Sequence, residues 1–379
     1  MKEGKIVTQN QEIAVVGAGI VGATTAFYLA KKGYSVTIYD EGTGQATAAA
    51  AGIICPWLSQ RRNKKWYHLA ASGAKFYPEL MTDLGESLTD SAIYQQVGTL
   101  LFKKNEKLLL KLEKLAKERR ETAPEIGDLT IVASDQLHDY VPILNSSQAA
   151  LFASGGARVD GELLTRKLIE QAVELGATFQ QGKVALTIDA ENQLFVQSKK
   201  YAQVVLAVGA WLPELLEPLG FTVDIRPQKG QLLCLDIPEE TTNWPVVMPD
   251  GEKDIIPFNN GKIIVGATHE NDKGYDLTPT APELKLMIAE ASELAPSLKQ
   301  AIQVSTKVGT RAYTSDFSPF FGQVSECPQL YVASGLGSSG LTTGPIIGKM
   351  IAQAIHQEET ELDFADYPVA DYVFERENK

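Results

Sequence analysis

Cysteine and histidine are scarce in this chain, and their scarcity excludes several kinds of site. The 379 residues include three cysteines (Cys55, Cys234 and Cys327) and four histidines. The cysteines are odd in number, lie far apart and form no C-x-x-C pair, so neither a disulfide framework nor a zinc site is expected. The histidines show no H-x-x-x-H spacing. We therefore expect no metal centre.

Positive charge and long apolar runs are also in short supply. With 35 Lys and Arg against 47 Asp and Glu, the formal net charge is −12, which argues against nucleic acid or anionic lipid as a partner. No apolar run approaches the ~20 residues of a membrane helix. Residues 1–12 are polar and lack the apolar segment of a signal peptide. We expect a cytoplasmic protein, peripheral to the membrane if it is a dehydrogenase.

The remaining composition is that of an ordinary soluble globular protein. Hydrophobic residues make up 44% and charged residues 22% of the chain, whose length allows two domains with sizeable cores. The most informative segment is 13–40, which reads as strand, turn, helix and strand, the last ending in Asp40. Its turn has the pattern G-x-G-x-x-G and comprises Gly17, Ala18, Gly19, Ile20, Val21 and Gly22.

Each part of this βαβ unit has a physical role in dinucleotide binding. Gly17 permits a tight turn, Gly19 lets the backbone approach a pyrophosphate, and Gly22 lets helix and strand pack closely. The helix N-terminus offers N–H groups and partial positive charge to the phosphates. Asp40 can accept hydrogen bonds from a ribose diol, and Glu41 would repel a 2′-phosphate. NADP is therefore disfavoured, while FAD and NAD both remain open.

A second glycine motif, Gly335-x-Gly337-x-x-Gly340, also lies between a predicted strand and a predicted helix. Only 39 residues follow Gly340, with no second strand ending in an acid, so a second dinucleotide site is excluded. The loop still offers N–H groups and a helix N-terminus, assisted by Thr342 and Thr343. A flavin ring is a suitable target, because its reduced form carries negative charge that a helix N-terminus stabilises.

Other segments predict a chain of alternating helices and strands. Helices are expected at 106–121, at 162–175, at 282–294 and from about Pro345, and 222–268 is rich in strands. The run Ala48–Gly52 is either a helix buried in the core or backbone pressed against a cofactor ring. We expect a loop at 311–322.

Taken in order, these motifs resemble the D-amino acid oxidase superfamily of FAD-dependent oxidoreductases, which includes glycine oxidase, sarcosine oxidase and D-amino acid dehydrogenase. The matching blocks are Gly17–Gly22 with Asp40, Ala50–Gly52, Phe152–Asp160, Val208–Trp211, Arg226–Gln231, Gly266–Thr268, Gly309–Asp316 and Gly335–Pro345. The resemblance implies an α/β fold. It consists of a Rossmann-like, GR2-type FAD-binding domain (1–85, 145–220 and 305–379) with an inserted α+β substrate domain built on an antiparallel sheet (86–144 and 221–304).

The resemblance also implies cofactor contacts. Besides the six residues of the first turn and Asp40, those contacts are Glu41, Ala51, Gly52, Ile53, Val184, Gly209, Trp211, Gly337, Ser338, Ser339, Gly340, Leu341 and Thr342. The backbone of Val184 falls at the position where the backbone of family members contacts the adenine. Covalent members of the sarcosine oxidase branch carry a cysteine near the position of Arg311, and none is present here, so FAD should be non-covalent.

The implied reaction is oxidation of a small amino acid or secondary amine by hydride transfer from the α-carbon to flavin N5, giving an imino acid that hydrolyses. Arg311 aligns with the arginine that binds the substrate carboxylate through its planar fork. Arg61, Arg62, His269 and Tyr313 are further candidates for the substrate pocket.

Three features of the implied enzyme stay open. The family often has Arg-Pro where this chain has Arg311-Ala312, so the loop is expected to be less rigid. The electron acceptor is O2 or another acceptor, and the chain can form a homo-oligomer.

Two other functions are alternatives to this enzyme. One is an NAD-dependent dehydrogenase, which leaves the second glycine loop unexplained, and the other is a non-catalytic flavoprotein.

Overall fold

The structure, a computed structural model, describes residues 11–89, 91–189, 191, 193–251 and 253–376. Residues 1–10 of the polar N-terminal segment, on which the absence of a signal peptide was predicted, lie outside the described residues. The chain divides into two compact units. Unit 1 comprises the described residues of Met1–Gln45, Leu164–Pro227 and Arg311–Lys379, and unit 2 those of Ala46–Leu163 and Gln228–Thr310.

The described residues form strands and helices that alternate along much of the chain. The strands β1 to β22 are Glu12–Val16, Ser35–Asp40, Ile53–Ile54, Tyr94–Gln95, Thr99–Phe102, Leu129–Val132, Ala150–Ala153, Ala157–Val159, Thr178–Gln181, Leu186–Ile188, Leu194–Val196, Lys199–Lys200, Gln203–Leu206, Phe221–Val223, Arg226–Asp236, Val246–Met248, Asp254–Pro257, Lys262–Gly266, Ile302–Tyr313, Phe320–Val324, Cys327–Ser334 and Val373–Glu375. The α-helices α1 to α8 are Ile20–Lys31, Lys64–Asp83, Glu106–Arg120, Leu137–Tyr140, Gly161–Glu174, Leu212–Leu216, Ala281–Leu294 and Gly340–Ile355.

Unit 1 is built on a six-stranded sheet in the order β20-β21-β13-β1-β2-β9. All neighbouring strands run parallel except β20 and β21. The central strand β1 is a continuous apolar run, and its residues Ile13, Ala14 and Val15 have no exposed surface. Such a run is typical of a parallel strand whose two faces are both covered.

Helices α1 and α8 pack against each other through glycines. A Cβ on Gly344 would lie 2.5 Å from the Ile20 side chain, and one on Gly348 would lie 2.7 Å from Thr24 Cβ. Because the contacts advance in the same direction along both helices, α1 and α8 run parallel. Their N-termini therefore lie at the same end of unit 1.

Unit 2 is built on an eight-stranded sheet in the order β19-β15-β18-β17-β16-β5-β7-β6. The antiparallel sheet predicted for the substrate domain is a mixed one, because β16 and β5 run parallel. Most other pairs run antiparallel. One face of the sheet packs on α7 through Met287 and Ala291. A smaller apolar cluster, centred on Leu232, Val246 and Ile256, covers the opposite face.

The division into units differs from the predicted domain boundaries. Residues 46–85, 145–163 and 305–310 group with unit 2, and 221–227 group with unit 1. Strand pairing explains the largest differences, because β3 pairs with β8, and β7 pairs with β5 and β6. These pairings join segments far apart in sequence, which no local pattern reveals.

Three local predictions need correction. The predicted loop at 311–322 begins as the end of β19, which continues to Tyr313, and β20 starts at Phe320. Helix α8 begins at Gly340 and contains Pro345 within its first two turns. The run Ala48–Gly52 is not a buried helix, because it has no helical structure and residues 48–51 are half-buried.

Candidate functional site

The glycine turn between β1 and α1 can be occupied only by glycine at two of its positions. Gly17 has φ of +93°, and a Cβ there would lie 2.4 Å from the Ala207 carbonyl oxygen. A Cβ on Gly22 would lie 1.8 Å from the Gly17 carbonyl oxygen. Gly19 is the N-cap of α1, and no side chain caps the helix there. The turn therefore presents main-chain N–H groups at a helix N-terminus to a ligand.

Asp40 ends β2 beside this turn. One of its carboxylate oxygens accepts a hydrogen bond from the Ala18 N–H at 2.5 Å, and the other accepts from the Gly42 N–H at 2.5 Å and Gln45 Nε2 at 2.8 Å. These bonds hold the carboxylate in one orientation next to the turn. An ionised carboxylate offers about four lone-pair positions, so acceptor capacity is left for a ribose hydroxyl. Glu41 lies 3.6 Å from the exposed Lys183 ammonium.

The second glycine loop leads into α8, the helix parallel to α1. Gly337 has φ of +54°, and a Cβ there would lie 2.2 Å from the Tyr313 ring. The loop backbone therefore lies directly on that ring. Ser339 is the N-cap of α8 and makes no side-chain capping bond to the helix. Ser338 is exposed, whereas Leu341 and Thr342 are buried.

The parallel arrangement of α1 and α8 makes one end of unit 1 suited to a large anionic ligand. Both helices present their uncapped N-termini there. Each N-terminus carries roughly half a positive charge. A dinucleotide with a pyrophosphate at one helix and a ring that becomes negative at the other matches this pair of helix ends. The residues present thus fit FAD.

Three further residues predicted to contact the cofactor also belong to unit 1. Val184 lies between β9 and β10, and its main-chain N–H and C=O form no backbone hydrogen bond within the described residues. Both groups are thus suited to pairing with a base edge. Gly209 has φ of +55°, and its carbonyl oxygen accepts a hydrogen bond from Ser334 Oγ at 2.9 Å. Trp211 ends the same 3-10 turn and is half-buried.

Residues 51–53, which were also predicted to contact the cofactor, belong to unit 2. Gly52 has φ of +83°, and a Cβ there would lie 2.0 Å from the Val159 carbonyl oxygen. The Val159 N–H donates to the Gly52 carbonyl oxygen at 2.8 Å, which fixes the segment against β8. Ala51 and Ile53 are partly buried and pack on the apolar face of the large sheet centred on Leu232.

Arg311 and Tyr313 lie near the C-terminal end of β19. Residues two apart on a strand point to the same face, so the two side chains share one face of β19. Tyr313 is 8% exposed and contacts Gly337, as described above, whereas Arg311 is half-buried. This places the predicted carboxylate-binding arginine on the strand face that meets the second glycine loop.

The other predicted pocket residues are on the surface of unit 2. Arg61, Arg62 and His269 are all exposed. Arg61 precedes α2, and Trp66 lies in the first turn of that helix. The Arg61 guanidinium lies over the Trp66 ring, 4.5 Å from the ring centroid. That stacking gives Arg61 a packing role of its own.

The chain matches the family model described as DAO, FAD dependent oxidoreductase, over residues 12–354. The chain belongs to the DAO family of FAD-dependent oxidoreductases. It is 42% identical to the uncharacterized oxidoreductase YurR of Bacillus subtilis over 94% of this chain and 98% of that protein. It is 28% identical to the glycine oxidase of Pseudomonas putida, again over 94% of this chain and 98% of the relative.

A solved structure shares both fold and sequence with this DAO-family chain. The crystal structure of iminodiacetate oxidase from Chelativorans sp. BNC1 superposes with a TM-score of 0.89 at 32% identity, covering 94% of this chain and 98% of that one. The match confirms the α/β fold with an FAD-binding domain and a separate substrate sheet. Membership of this family implies FAD as the cofactor and sets aside the NAD-dependent alternative.

Sequence reasoning missed three charged residues in unit 2 of this DAO-family chain. Arg158 on β8 is 2% exposed, and its guanidinium donates to Asn259 Oδ1 at 2.7 Å and the Thr242 carbonyl oxygen at 2.8 Å. Burial lowers the pKa of Arg158 to about 10. The fully buried Lys229 pairs with Asp276 at 2.8 Å.

The third is Asp254, at the first position of β17, whose burial raises its pKa to about 7 against a lowering effect of Lys253. For Arg158 and Asp254, a charged residue in an otherwise apolar strand was the available signal, but only the fold shows how far each charge is removed from solvent.

Among the residues that the structure describes, no helix is both long and apolar enough to cross a membrane. Over the same residues, no group of three or more His, Cys, Asp or Glu side chains is arranged to hold a metal ion.

Proposed function

We propose that this chain catalyses the FAD-dependent oxidation of a small amino acid or secondary amine that carries a carboxylate. The observation that supports this most directly is the position of Arg311. It shares a face of β19 with Tyr313, whose ring lies against Gly337 of the loop that opens α8. A carboxylate bound by Arg311 would thus lie close to the helix end that suits a flavin ring.

The relatives support the same substrate class. Glycine and iminodiacetate, named in the glycine oxidase and iminodiacetate oxidase to which this chain is similar, are both amines with a carboxylate on the adjacent carbon. An arginine fork binds such a carboxylate bidentately and so fixes the orientation of the α-carbon. Holding the reacting C–H bond in one orientation accounts for a large part of the rate that such a site can achieve.

When bound, FAD would supply the ring that accepts a hydride, a proton with two electrons, from the substrate. The chain's own residues hold the cofactor and substrate. The α1 N-terminus receives the pyrophosphate, Asp40 the ribose, and the α8 N-terminus the part of the ring that gains negative charge.

We also propose that FAD is held without a covalent bond. Cys55 is the cysteine nearest in sequence to residues 51–53, and it is buried. Burial raises the pKa of the Cys55 thiol to about 12, although hydrogen bonds to Thr99 and Leu58 act in the opposite direction. Because the thiolate is the reactive species, this thiol is inert at neutral pH.

Substitution of Arg311 tests the proposal. Arg311→Lys should lower kcat/KM toward the best carboxylated amine by about 30- to 1000-fold, equivalent to about 2–4 kcal/mol, because an ammonium cannot reproduce the fork. The visible spectrum of the flavin should be retained. Arg166→Lys on the exposed side of α5 is the matched control and should have wild-type kinetics.

A second comparison separates carboxylate binding from general damage. The substrate's analogue without a carboxylate, methylamine for glycine or dimethylamine for sarcosine, should react poorly with the wild type and be hardly affected by Arg311→Lys. An Arg311→Ala enzyme with normal kcat/KM toward a carboxylated amine would refute the role of Arg311 and the amino-acid assignment with it.

A further inference from the structure

Phe317, in the segment between β19 and β20, has a backbone conformation that aromatic residues rarely adopt. Its φ is +63°, in the left-handed region that favours glycine and, after it, asparagine. Its side chain is 45% exposed, so burial of the ring in a core does not account for this conformation. Strained residues of this kind occur preferentially at functional sites, where the surrounding structure imposes the strain.

Hydrogen bonds within unit 1 hold the turn that contains Phe317. The Phe317 N–H donates to the Thr314 carbonyl oxygen at 3.3 Å. One oxygen of the Asp316 carboxylate accepts from the Ser318 N–H at 2.9 Å, and the other accepts from the Tyr372 hydroxyl at 3.0 Å. The turn is therefore tied both to itself and to a residue just before β22, and these bonds offset the cost of the strained conformation.

The strained conformation places the Phe317 ring on Tyr313. The two ring centroids lie 5.3 Å apart with an angle of 69° between the ring planes, which is an edge-to-face arrangement. The Arg226 guanidinium lies over the Phe317 ring, 4.9 Å from its centroid. The Phe317 ring thus contacts a second ring and a cation, and all three residues belong to unit 1.

The same segment supports the loop that opens α8. A Cβ on Gly337 would lie 2.2 Å from the Tyr313 ring, and a Cβ on Gly335 would lie 2.7 Å from the Ser318 carbonyl oxygen. Both glycines have positive φ, so the loop backbone is bent closely over residues 313–318. A displacement of the Tyr313 ring would therefore displace the loop backbone.

We propose that Phe317 is a positioning residue for the flavin ring of FAD. Its ring holds Tyr313 against Gly337 and so fixes the loop at the N-terminus of α8. This inference rests on the part of the proposed function that assigns the flavin ring to that helix end. The strained backbone is retained because it directs an aromatic side chain onto Tyr313.

Two ligands of the apoprotein separate the ring end of the cofactor site from its phosphate end. FAD extends over both ends, whereas ADP has the adenine, ribose and pyrophosphate but no flavin ring. Phe317→Asn removes the aromatic ring, and asparagine tolerates the left-handed conformation. The substitution should weaken FAD binding by about 3- to 10-fold, the usual worth of an aromatic pair, and change ADP binding less than about twofold. Fluorescence titration measures the FAD dissociation constant, and competition with FAD measures that of ADP.

Three further variants control for general damage and test the route of the effect. Phe317→Tyr retains the ring and should keep both wild-type dissociation constants. Phe374→Asn removes an aromatic side chain of similar exposure, 43%, on β22 of unit 1, and should also leave both constants unchanged. Tyr313→Leu should weaken FAD binding, and adding Phe317→Asn to it should have little further effect, because both substitutions remove the same ring contact.

The outcomes separate this inference from the proposed function. If Tyr313→Leu weakens FAD binding but Phe317→Asn has no effect, weakens FAD and ADP equally or adds fully to Tyr313→Leu, the role of Phe317 is wrong and the assigned position of the flavin stands. If Tyr313→Leu leaves FAD binding unchanged, that position is wrong and the inference falls with it. A selective loss of FAD affinity in Phe317→Asn that Phe317→Tyr does not show supports both.

Discussion

At the scale of single residues, Arg311 and Asp254 are two charged side chains that the fold exposes only in part. Arg311 is half-buried at the end of a strand, whereas Asp254 starts a strand whose next three residues are buried. The carboxylate of Asp254 forms no hydrogen bond within the described residues, and a carboxylate in such surroundings lowers stability. That cost can be measured without reference to catalysis.

We expect Asp254→Asn to stabilise the ligand-free holoprotein at pH 8. The pKa of Asp254 is raised from 3.8 to about 7 in the folded protein. Between about pH 4 and pH 7 the carboxyl is therefore protonated in the folded state and ionised in the unfolded state. Stability therefore falls as the pH rises through this range. Removing the carboxyl should raise the free energy of unfolding by about 1–3 kcal/mol at pH 8 and by little at pH 4.

Thermal unfolding at the two pH values checks this expectation. Asp250→Asn, whose side chain is exposed, should show no such pH-dependent difference. An Asp254→Asn protein that is destabilised by the same amount at pH 4 and pH 8 would contradict the assignment of a costly, desolvated carboxylate.

Some residues of the candidate site could be identified from the sequence, and others could not. Gly17, Gly22 and Asp40 belong to one local βαβ unit, so their spacing alone predicted a turn that leaves no room for side chains. The isolated acid in Asp254-Ile-Ile-Pro257 is indistinguishable in sequence from a solvated strand end. Its removal from solvent depends on the order of strands in the sheet, in which β18 lies between β17 and β15.

At the scale of elements, the close approach of α1 and α8 positions the two helix N-termini that fit the cofactor. Gly348→Ala places a Cβ 2.7 Å from both Thr24 Cβ and the Val21 carbonyl oxygen, and neither atom can move independently of α1. We expect a loss of about 1–3 kcal/mol in unfolding free energy. FAD affinity should fall as well, because separating the helices moves one N-terminus relative to the other.

Urea unfolding and fluorescence titration of the apoprotein with FAD measure the two effects. Gly251→Ala is a suitable control, since the space around that glycine is open and its φ is ordinary. A Gly348→Ala protein with wild-type stability and FAD affinity would show that the spacing of the helices is not critical.

Elements with a clear helical period were predicted, whereas those with interrupted patterns were missed. The helices expected at 106–121, 162–175 and 282–294 correspond to α3, α5 and α7 within one or two residues. Helix α2 was not predicted, since Gly73 and Pro78 interrupt it. The end of β19 was read as a loop because turn-forming residues follow it directly. This error concerned the segment that holds Arg311.

For the whole molecule, non-covalent attachment predicts how the cofactor leaves the protein. Acid precipitation of the yellow holoprotein should release all of the flavin into the supernatant, because the Cys55 thiol is too deeply buried to be reactive. Absorbance of the supernatant and pellet measures the distribution. Yellow colour that stays with the washed pellet would show a covalent bond, and peptide mapping would locate it.

The overall architecture was predictable only in outline. The ordered series of glycine motifs indicated an α/β fold with a second domain, and the DAO family match confirms it. The boundaries of the two units could not be read from the sequence, because β3 pairs with β8 across about 100 residues. The parallel pairing of β16 with β5 likewise joins segments that lie far apart in the sequence.

The most direct test of the central claim is anaerobic reduction of the bound flavin by small amines. The holoprotein is titrated without oxygen against glycine, sarcosine, iminodiacetate, proline and D-amino acids, and the flavin band near 450 nm is followed. We expect at least one carboxylated amine to bleach this band fully, with one equivalent of imino or oxo acid formed per flavin. A flavin that none of these compounds bleaches, but that dithionite still reduces, would contradict the proposal and favour a non-catalytic flavoprotein.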